Sequence, residues 1–293
     1  MMRTRAIFIF AAIHGFGCLT SQGVLRFLNH TAQEQLLFGL IEHVMVGIGD
    51  SLRTNITPTI LPTLSSAASP TAGIPRASTM PRETPEQMRR ALFRAAIEDV
   101  ADRGVEQLQL ESATRRAGLS LELARSVVAR SVPFERQLES YLDKEMHVSV
   151  ASFQALLPEH SSSISMGKAT GVAFVCTALN DPAGFNVLTT IASGSIVPRT
   201  FEKSSEDFDI GPSFDFLLER VRAAIEKGGG PRTSWTLYEN SLHLWCVAHG
   251  LAHAFSSGPL RKLDHDYKFV LLEQVPDMSI TSLIRRLNLT PEA

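Results

Sequence analysis

A helix-length stretch of sequence occurs twice in this chain, once near each end. Residues 10–26 read FAAIHGFGCLTSQGVLR, and residues 245–261 read WCVAHGLAHAFSSGPLR, aligned without a gap. The offset is constant at 235 residues, and an aromatic residue, a His-Gly pair, a serine, a second glycine, a leucine and an arginine coincide along it. Histidine and glycine are poor choices inside an apolar helix, so their recurrence indicates a packing requirement. The chain therefore reads as the tail of one domain, a linker, and a whole copy of a similar domain.

The composition is that of a globular chain. Of the 293 residues, 44% are apolar and 20% are charged, enough to bury one large core or two ordinary ones. The formal net charge of -2 gives no overall attraction to nucleic acid or to anionic lipid, so any DNA contact requires a local basic patch. The three cysteines are odd in number and have no paired spacing, which predicts free thiols in a reducing, cytoplasmic compartment.

The first residues imitate a signal peptide, because MMRTR is followed by an apolar run over 6–16. His14 interrupts that run, and the sequence GFG before Cys18 is a poor lipoprotein cleavage site. The same stretch also recurs near the other end, where no signal operates. We expect neither secretion nor a membrane span, since no apolar run approaches ~20 residues.

The organisation along the chain follows from helical periodicity and from proline. Residues 1–52 read as two helices, over 6–28 and 31–52, which cannot close a core of their own. Residues 53–82 are rich in Thr, Ser, Ala and Pro, which predicts a disordered linker. Further helices are predicted over 84–102, 110–117, 121–130, 133–157, 168–179, 183–193, 212–227, 234–256 and 265–288. No convincing strand pattern occurs, so the fold is expected to be all-α.

The predicted helices over 84–102, 110–117 and 121–130 are separated by glycines, and the middle one is short. This is the spacing of a helix-turn-helix. The sequences MRRALFRAAI at 88–97, DRG at 102–104 and LQLESATRRAGLS at 108–120 resemble the N-terminal DNA-binding domain of TetR-family transcriptional regulators. Residues 245–260, with their Ala-His-Gly core, resemble the WHG-type C-terminal regulatory domain of one TetR subfamily. The resemblance implies a degenerate helix-turn-helix domain over 83–147, a regulatory domain over 148–293, and over 1–52 the last two helices of another copy.

By that resemblance the chain is expected to be a DNA-binding transcriptional regulator, with repression the expected mode, that responds to a small apolar or amphipathic effector. It implies no enzymatic activity and no cofactor. The candidates for base-edge contact are Ser120, Glu122, Arg125 and Ser126, and the candidates for phosphate contact are Arg115, Arg116 and Arg130. Catalysis has no support in the sequence, because it lacks a nucleophile elbow, a phosphate-cradling glycine loop and a paired-carboxylate motif.

The sequence departs from the family pattern after the recognition helix. Family members usually carry a tyrosine, a His-Phe pair and a phosphate-contacting lysine there, and Arg125, Val127-Val128 and Ser131 occupy those places. Residues 82–145 hold 11 basic and 12 acidic side chains, so the module lacks a generally basic surface. The alternative is therefore a DNA-incompetent helical ligand-binding or dimerisation protein, derived from a broken tandem regulator.

Effectors of helical regulators lie between the helices of a bundle. The candidates for lining such a cavity are Phe153, Phe174, Phe185, Phe216, Trp235, Trp245 and His249. The alternative is that these residues, at helical spacing, are plain core.

Two sets of residues have side chains of the types that bind zinc. His249, His253 and His265 form one set, and the repeat offers His14, Cys18 and His30 at the equivalent positions. Neither set has an evident acidic residue nearby that could hydrogen-bond and orient its histidines. The glycine of each His-Gly pair also allows close helix packing. Packing is thus the favoured interpretation, and no metal is expected at either set.

The repeat also predicts an internal partnership. In TetR-type proteins the last two helices of each protomer pack against the same two helices of its partner. The helices in 1–52 are expected to dock on 234–256 and 265–288 of the same chain, making an internal pseudo-dimer in place of a homodimer. The predicted interface sets Phe10, Phe16, Leu36, Leu40 and Val44 against Trp245, Leu251, Val270 and Ile284.

Overall fold

The structure is a computed structural model, and it describes residues 2–21, 25, 30–53, 84–159, 161–192 and 212–290. All the regular structure in these ranges is helical, which confirms the all-α prediction. The helices are α1 (Met2–Ser21), α2 (His30–Arg53), α3 (Pro85–Arg103), α4 (Leu110–Arg116), α5 (Leu121–Val127), α6 (Phe134–Gln154), α7 (Ser163–Asn180), α8 (Pro182–Ala192), α9 (Pro212–Gly228), α10 (Ser234–Ser256) and α11 (His265–Arg286).

The chain divides into two compact units. One comprises residues 1–58 together with 142–293, and the other comprises 59–141, so the division falls within α6. The N-terminal helix pair thus belongs to the same unit as the C-terminal bundle. The predicted linker over 53–82 lies outside the described residues, except for residue 53.

Most helix bounds agree with the sequence patterns, and two differences matter. Helix α1 (Met2–Ser21) begins four residues before the start of the predicted helix over 6–28, and the part of that prediction beyond Ser21 lies outside the described residues, except for residue 25. Helix α5 ends at Val127 because Val128 is extended, with φ −113° and ψ 148°. Arg130, which the predicted helix over 121–130 included, therefore lies beyond the end of α5.

Helices α3, α4 and α5 pack against one another as a small module. Thr84 caps α3 in a reciprocal pair with Gln87, and Ser120 caps α5 by accepting from the amide of Leu123. Gly118, which follows α4, has φ 69°, a conformation that favours glycine. The module's core is fully buried and consists of Leu92, Phe93, Ala96, Ile97, Ala113, Ala124 and Leu138.

In the larger unit, α1 packs along α10 and α2 packs along α11, and the two pairs also contact each other. The closest approach is between glycines. A Cβ added at Gly15 would overlap the carbonyl oxygen of Cys246 and lie 2.8 Å from the amide nitrogen of Gly250. A Cβ added at Gly250 would overlap the carbonyl oxygen of Ala11 and lie 2.7 Å from the amide nitrogen of Gly15. Only glycine at both positions lets the two backbones touch.

These contacts are related by a pseudo-two-fold axis, because the repeat offset exchanges Gly15 with Gly250 and Ala11 with Cys246. A second pair of contacts obeys the same exchange. Thr4 Oγ1 donates to Gln274 Oε1 over 2.7 Å, and Gly39, the equivalent of Gln274, lies against Glu239, the equivalent of Thr4. The repeated sequence therefore corresponds to a repeated packing geometry within one chain.

Parts of the predicted helix-pair interface are wrong. Leu36, Leu40 and Val44 are buried, but Phe10 is 37% exposed and Val270 is 40% exposed. Trp245 packs on the ring of Phe214, with centroids 4.7 Å apart. The glycine contact replaces the expected aromatic one, since bulky side chains at the helix crossing would keep the backbones apart.

Helix α1 is also the one described helix that is long and apolar enough to cross a bilayer. Over Arg3–Ser21 its mean hydropathy is 1.3, and 33% of that window is buried inside the fold. Core helices of soluble proteins and N-terminal signal sequences meet the same criterion. The face of α1 that carries Phe8, Ala11, Ala12 and Leu19 is almost inaccessible to solvent.

The glycine contact predicts a sharp contrast between neighbouring substitutions. Gly15→Ala and Gly250→Ala should each lower the free energy of unfolding by about 2 kcal/mol or more, because backbone atoms must move to admit the methyl group. Gly17→Ala, two positions beyond the contact, has open space at its Cβ and should raise stability by about 0.5–1 kcal/mol through helix propensity. Urea unfolding of the three variants measures the contrast, and equal effects at positions 15 and 17 would contradict it.

Candidate functional site

A cavity of about 100 Å³ lies inside the larger unit, lined mainly by α7, α9, α10 and α11, with contributions from Leu19 of α1, Asp143 of α6 and two residues of α8. Its walls are largely apolar and are formed by Leu19, Phe174, Leu188, Phe214, Leu217, Leu244, Trp245, Val247, Leu251, Val275, Pro276 and Ile280. A cavity of a few tens of Å³ already admits several water-sized groups, so there is space for a small organic molecule.

The structure brings only some of the predicted ligand-binding residues to this cavity. Phe174, Trp245 and His249 line it. Phe185 stands behind the wall, with its ring centroid 5.2 Å from that of Phe174 and 5.7 Å from that of His249.

Phe153, Phe216 and Trp235 are not among the lining residues. Phe216 instead makes an edge contact with His147, at 5.2 Å, and a cation–π contact with Arg220, at 4.8 Å. The helices that carry these three residues have apolar side chains on more than one face. Helical spacing alone therefore does not show which of those faces borders the cavity.

The cavity carries a few polar groups. Lys168 lines it and forms an ion pair with Asp277, which joins α7 to α11. Thr170 lines it too, and its hydroxyl accepts from Gln154 Nε2 over 2.9 Å. Among the described residues the Nδ1 atom of His249 has no hydrogen-bond partner. Burial, with the nearby His253 and His14, lowers the pKa of His249 to about 3, so its ring is neutral at physiological pH.

The sequence analysis missed the contribution of α7 to the cavity. Gly167, Lys168 and Gly171 all line it, and a Cβ added at Gly171 would meet nothing within 4 Å. A signal was present: two glycines one turn apart in an apolar helix, with a lysine beside them. The two glycines leave space on one face of the helix, and the lysine places a positive charge in otherwise apolar surroundings.

The glycine contact between α1 and α10 also sets histidines against each other. His14 Nε2 lies 2.9 Å from His253 Nδ1, and Cys18 Sγ lies 3.7 Å from His14 Nε2. The three side chains are half-buried. Burial raises the pKa of the Cys18 thiol and lowers the pKa of His253, to which the neighbouring His14 also contributes. The repeat-related sets considered in the sequence are thus combined, with two members from α1 and one from α10.

A second group of histidines joins α2, α10 and α11. His243 donates from Nε2 to the carbonyl of Leu36 over 3.2 Å, and its Nδ1 accepts from Arg286 over 3.1 Å, which fixes its neutral tautomer. His43 is fully buried and bonds through Nε2 to the hydroxyl of Ser279 over 3.0 Å. Burial, with the charge of Arg286, lowers the pKa of His43 to about 3. Both rings are therefore buried in the neutral form.

This burial predicts acid sensitivity. The folded-state pKa of His43 lies below its ordinary value of about 6.5. The contribution of the neutral ring to the free energy of unfolding is therefore fully present above that value, and it is lost as the pH falls toward 3. Between about pH 7 and about pH 5, His43 alone should remove about 2 kcal/mol from the free energy of unfolding. Urea unfolding of His43→Gln should show a shallower pH slope than the wild type. His30→Gln, at a side chain that is 85% exposed, should leave the slope unchanged, and an unchanged slope in His43→Gln would contradict the assignment.

In the smaller unit, two of the predicted DNA-contacting arginines are held by carboxylates. Arg116 Nη2 lies 2.6 Å from Asp102 Oδ2, and further nitrogens lie 3.6 Å from Asp99 and 3.8 Å from Glu98. Arg125 Nη2 lies 3.4 Å from Glu111 Oε1. A guanidinium that is already paired gains less from a phosphate than a solvated one does.

The other predicted contacts differ in availability. Arg115 and Arg130 are exposed, and neither has a carboxylate within ion-pair distance among the described residues. Glu122 is exposed on α5 and adds a negative charge to that face. Ser120 and Ser126 are exposed, but the first hydroxyl caps the helix and the second donates to the carbonyl of Leu123 over 2.7 Å. The two unpaired arginines are therefore the best-placed phosphate contacts.

Comparisons with known proteins give no match: no family model, no curated protein and no solved structure corresponds to this chain.

Proposed function

We propose that this chain is a one-component transcriptional regulator of the TetR type, whose C-terminal bundle binds a small molecule and thereby alters DNA affinity. The observation that carries the proposal is the apolar cavity within the bundle, in a chain that also has three mutually packed helices with helix-turn-helix spacing. The regulator is proposed to work in the cytoplasm, since its three cysteines are free thiols. It is proposed to need no cofactor and to have no enzymatic activity.

The lining favours a neutral, amphipathic ligand. Most of the wall is apolar, and the one lysine at it is already paired with Asp277, so a carboxylate on the ligand would have to compete for Lys168. The neutral ring of His249 offers an unmatched nitrogen to a neutral polar group. A medium-chain alcohol, or a molecule with one hydroxyl or carbonyl group on an apolar body, satisfies both features.

This ligand chemistry is testable with the chain's two tryptophans. In Trp235→Phe, Trp245 is the only indole, and titration with 1-octanol should change its fluorescence in a saturable way. Octanoate should bind at least several-fold more weakly near neutral pH, because Lys168 at the cavity is already paired with Asp277. Gly171→Leu, in the same background, should abolish the response by filling the cavity while favouring the helix.

The matched control is Trp245→Phe, in which Trp235 reports from outside the cavity lining and should not respond. An equal response in that control, or a response that survives Gly171→Leu, would contradict ligand binding at this cavity.

DNA binding is proposed to be weak and to depend on the two unpaired arginines. Arg115→Ala and Arg130→Ala should lower affinity for all duplex sequences alike, and each should reduce the salt dependence of binding by about one ion. Glu111→Gln should raise affinity, because it releases Arg125 from its carboxylate partner. Fluorescence anisotropy with labelled duplex at several salt concentrations measures all three effects. Arg222→Ala, at an arginine on α9 that pairs with Glu219, is the control and should change nothing.

The second candidate is a DNA-incompetent ligand-binding protein that arose from a tandem regulator. The pairing of Arg116 and Arg125 with carboxylates favours it, since these arginines are internally neutralised. Failure to bind any duplex at low salt, together with an intact response of Trp245 to 1-octanol, would support this candidate over the regulator. In both candidates the N-terminal helix pair acts as an internal partner of α10 and α11, as the shared bundle geometry supports.

A further inference from the structure

Two helices present metal-binding side chains to the same point. On α1, His14 and Cys18 are one turn apart, and on α10, His253 lies directly across from them. Their three ligand atoms, one nitrogen from each histidine and the cysteine sulfur, all lie within 4.8 Å of one another. The Gly15–Gly250 contact holds the two helices at the distance that brings these atoms together.

We propose that His14 Nε2, Cys18 Sγ and His253 Nδ1 form a zinc site that links α1 to α10. Zinc bonds of about 2.0–2.1 Å to nitrogen and about 2.3 Å to sulfur imply separations of about 3.4–3.6 Å between tetrahedral ligand atoms. The Cys18–His14 separation of 3.7 Å already matches that value. The His14–His253 separation of 2.9 Å opens by about half an ångström when two nitrogen–metal bonds replace the hydrogen bond between the rings.

The donor set selects the metal. One thiolate and two imidazoles suit zinc and exclude magnesium and calcium, which require oxygen ligands. No carboxylate belongs to the cluster within the part of the chain that the structure describes. On binding, the Cys18 thiol loses its proton to solvent and the thiolate bonds the ion, so the bound site carries a net charge of about +1.

The geometry also distinguishes three ligands from four. His249 is the repeat equivalent of His14, and its Nδ1 lacks a partner, but its ring packs against the rings of Phe185 and Phe174 at the cavity. We therefore leave it out of the ligand set, and a water molecule takes the fourth position.

All three ligands are half-buried, so an ion in solution reaches them. The site does not depend on the proposed DNA or effector binding.

Cobalt titration of the full-length reduced protein tests the site directly. Co²⁺ substitutes for zinc and gives an intense near-ultraviolet charge-transfer band only when a thiolate bonds the metal. The wild type should develop this band, saturating at about one Co²⁺ per chain, and Zn²⁺ should displace it. Cys18→Ser should lose the band entirely, whereas Cys176→Ser, at a cysteine on α7, should keep it. Absence of the band in the wild type overturns the proposal, as does its retention in Cys18→Ser or its loss in Cys176→Ser alone.

Thermal unfolding provides a second readout that does not require the band. Zn²⁺ should raise the melting temperature of the wild type in a concentration-dependent way, because the ion binds only the folded arrangement of α1 and α10. His253→Asn should abolish the shift, and His30→Asn, at an exposed histidine, should preserve it. Helical circular dichroism checks that each variant is folded without metal. A zinc-induced shift of equal size in His253→Asn overturns the assignment.

Discussion

The backbone contact between Gly15 and Gly250 is the constraint on which the rest of the larger unit depends. Helices that cross at glycines approach more closely than side-chain packing allows, so α1 and α10 cross where Gly15 and Gly250 face each other. That crossing point is also the centre of the pseudo-two-fold relation. It sets His14 and Cys18 against His253 and places α2 beside α11. One pair of residues without side chains therefore brings together the ligand atoms of the candidate metal site.

The two halves of this bundle differ in what covers them. Leu244, Ala248 and Ile280 line the cavity, and their repeat equivalents on the N-terminal pair are Ile9, Ile13 and Met45. Those equivalents are 37%, 53% and 63% exposed. The same sequence positions thus form a buried wall in one half and an apolar surface in the other. The helix–helix contact is repeated in the two halves, whereas the main contacts of α7 and α9 in the described part of the chain are with α10, and those of α7 also with α11.

Sequence reasoning succeeded where a local rule decides and failed where tertiary packing decides. The bounds of α10 and the cap of α3 at Thr84 follow from capping residues and helical periodicity, and the structure agrees. The cavity lining was only partly predictable, because α7 and α10 are apolar on most faces and their periodicity does not say which face is empty. The docking of 1–52 on 234–256 was predicted, but the pairing of Cys18 and His14 with His253 was not. Each spacing within one helix is visible in the sequence, but their meeting depends on where two glycines allow the helices to cross.

In the smaller unit, Arg103 and Arg116 compensate the charge of a buried carboxylate on α3. Asp99 is almost fully buried; burial alone would raise its pKa, but hydrogen bonds from Arg103 and Ser112 and the charges of Arg103 and Arg116 hold that pKa below its usual value. An ionised buried carboxylate needs such partners, since leaving it unpaired would cost several kcal/mol. Arg116 therefore stabilises the packing of α4 on α3, and moving it to a phosphate would leave Asp99 with less compensation. The guanidinium of Arg116 is thus committed to the carboxylates of α3, so the packing of the module takes up an arginine that the sequence alone made a candidate for phosphate contact.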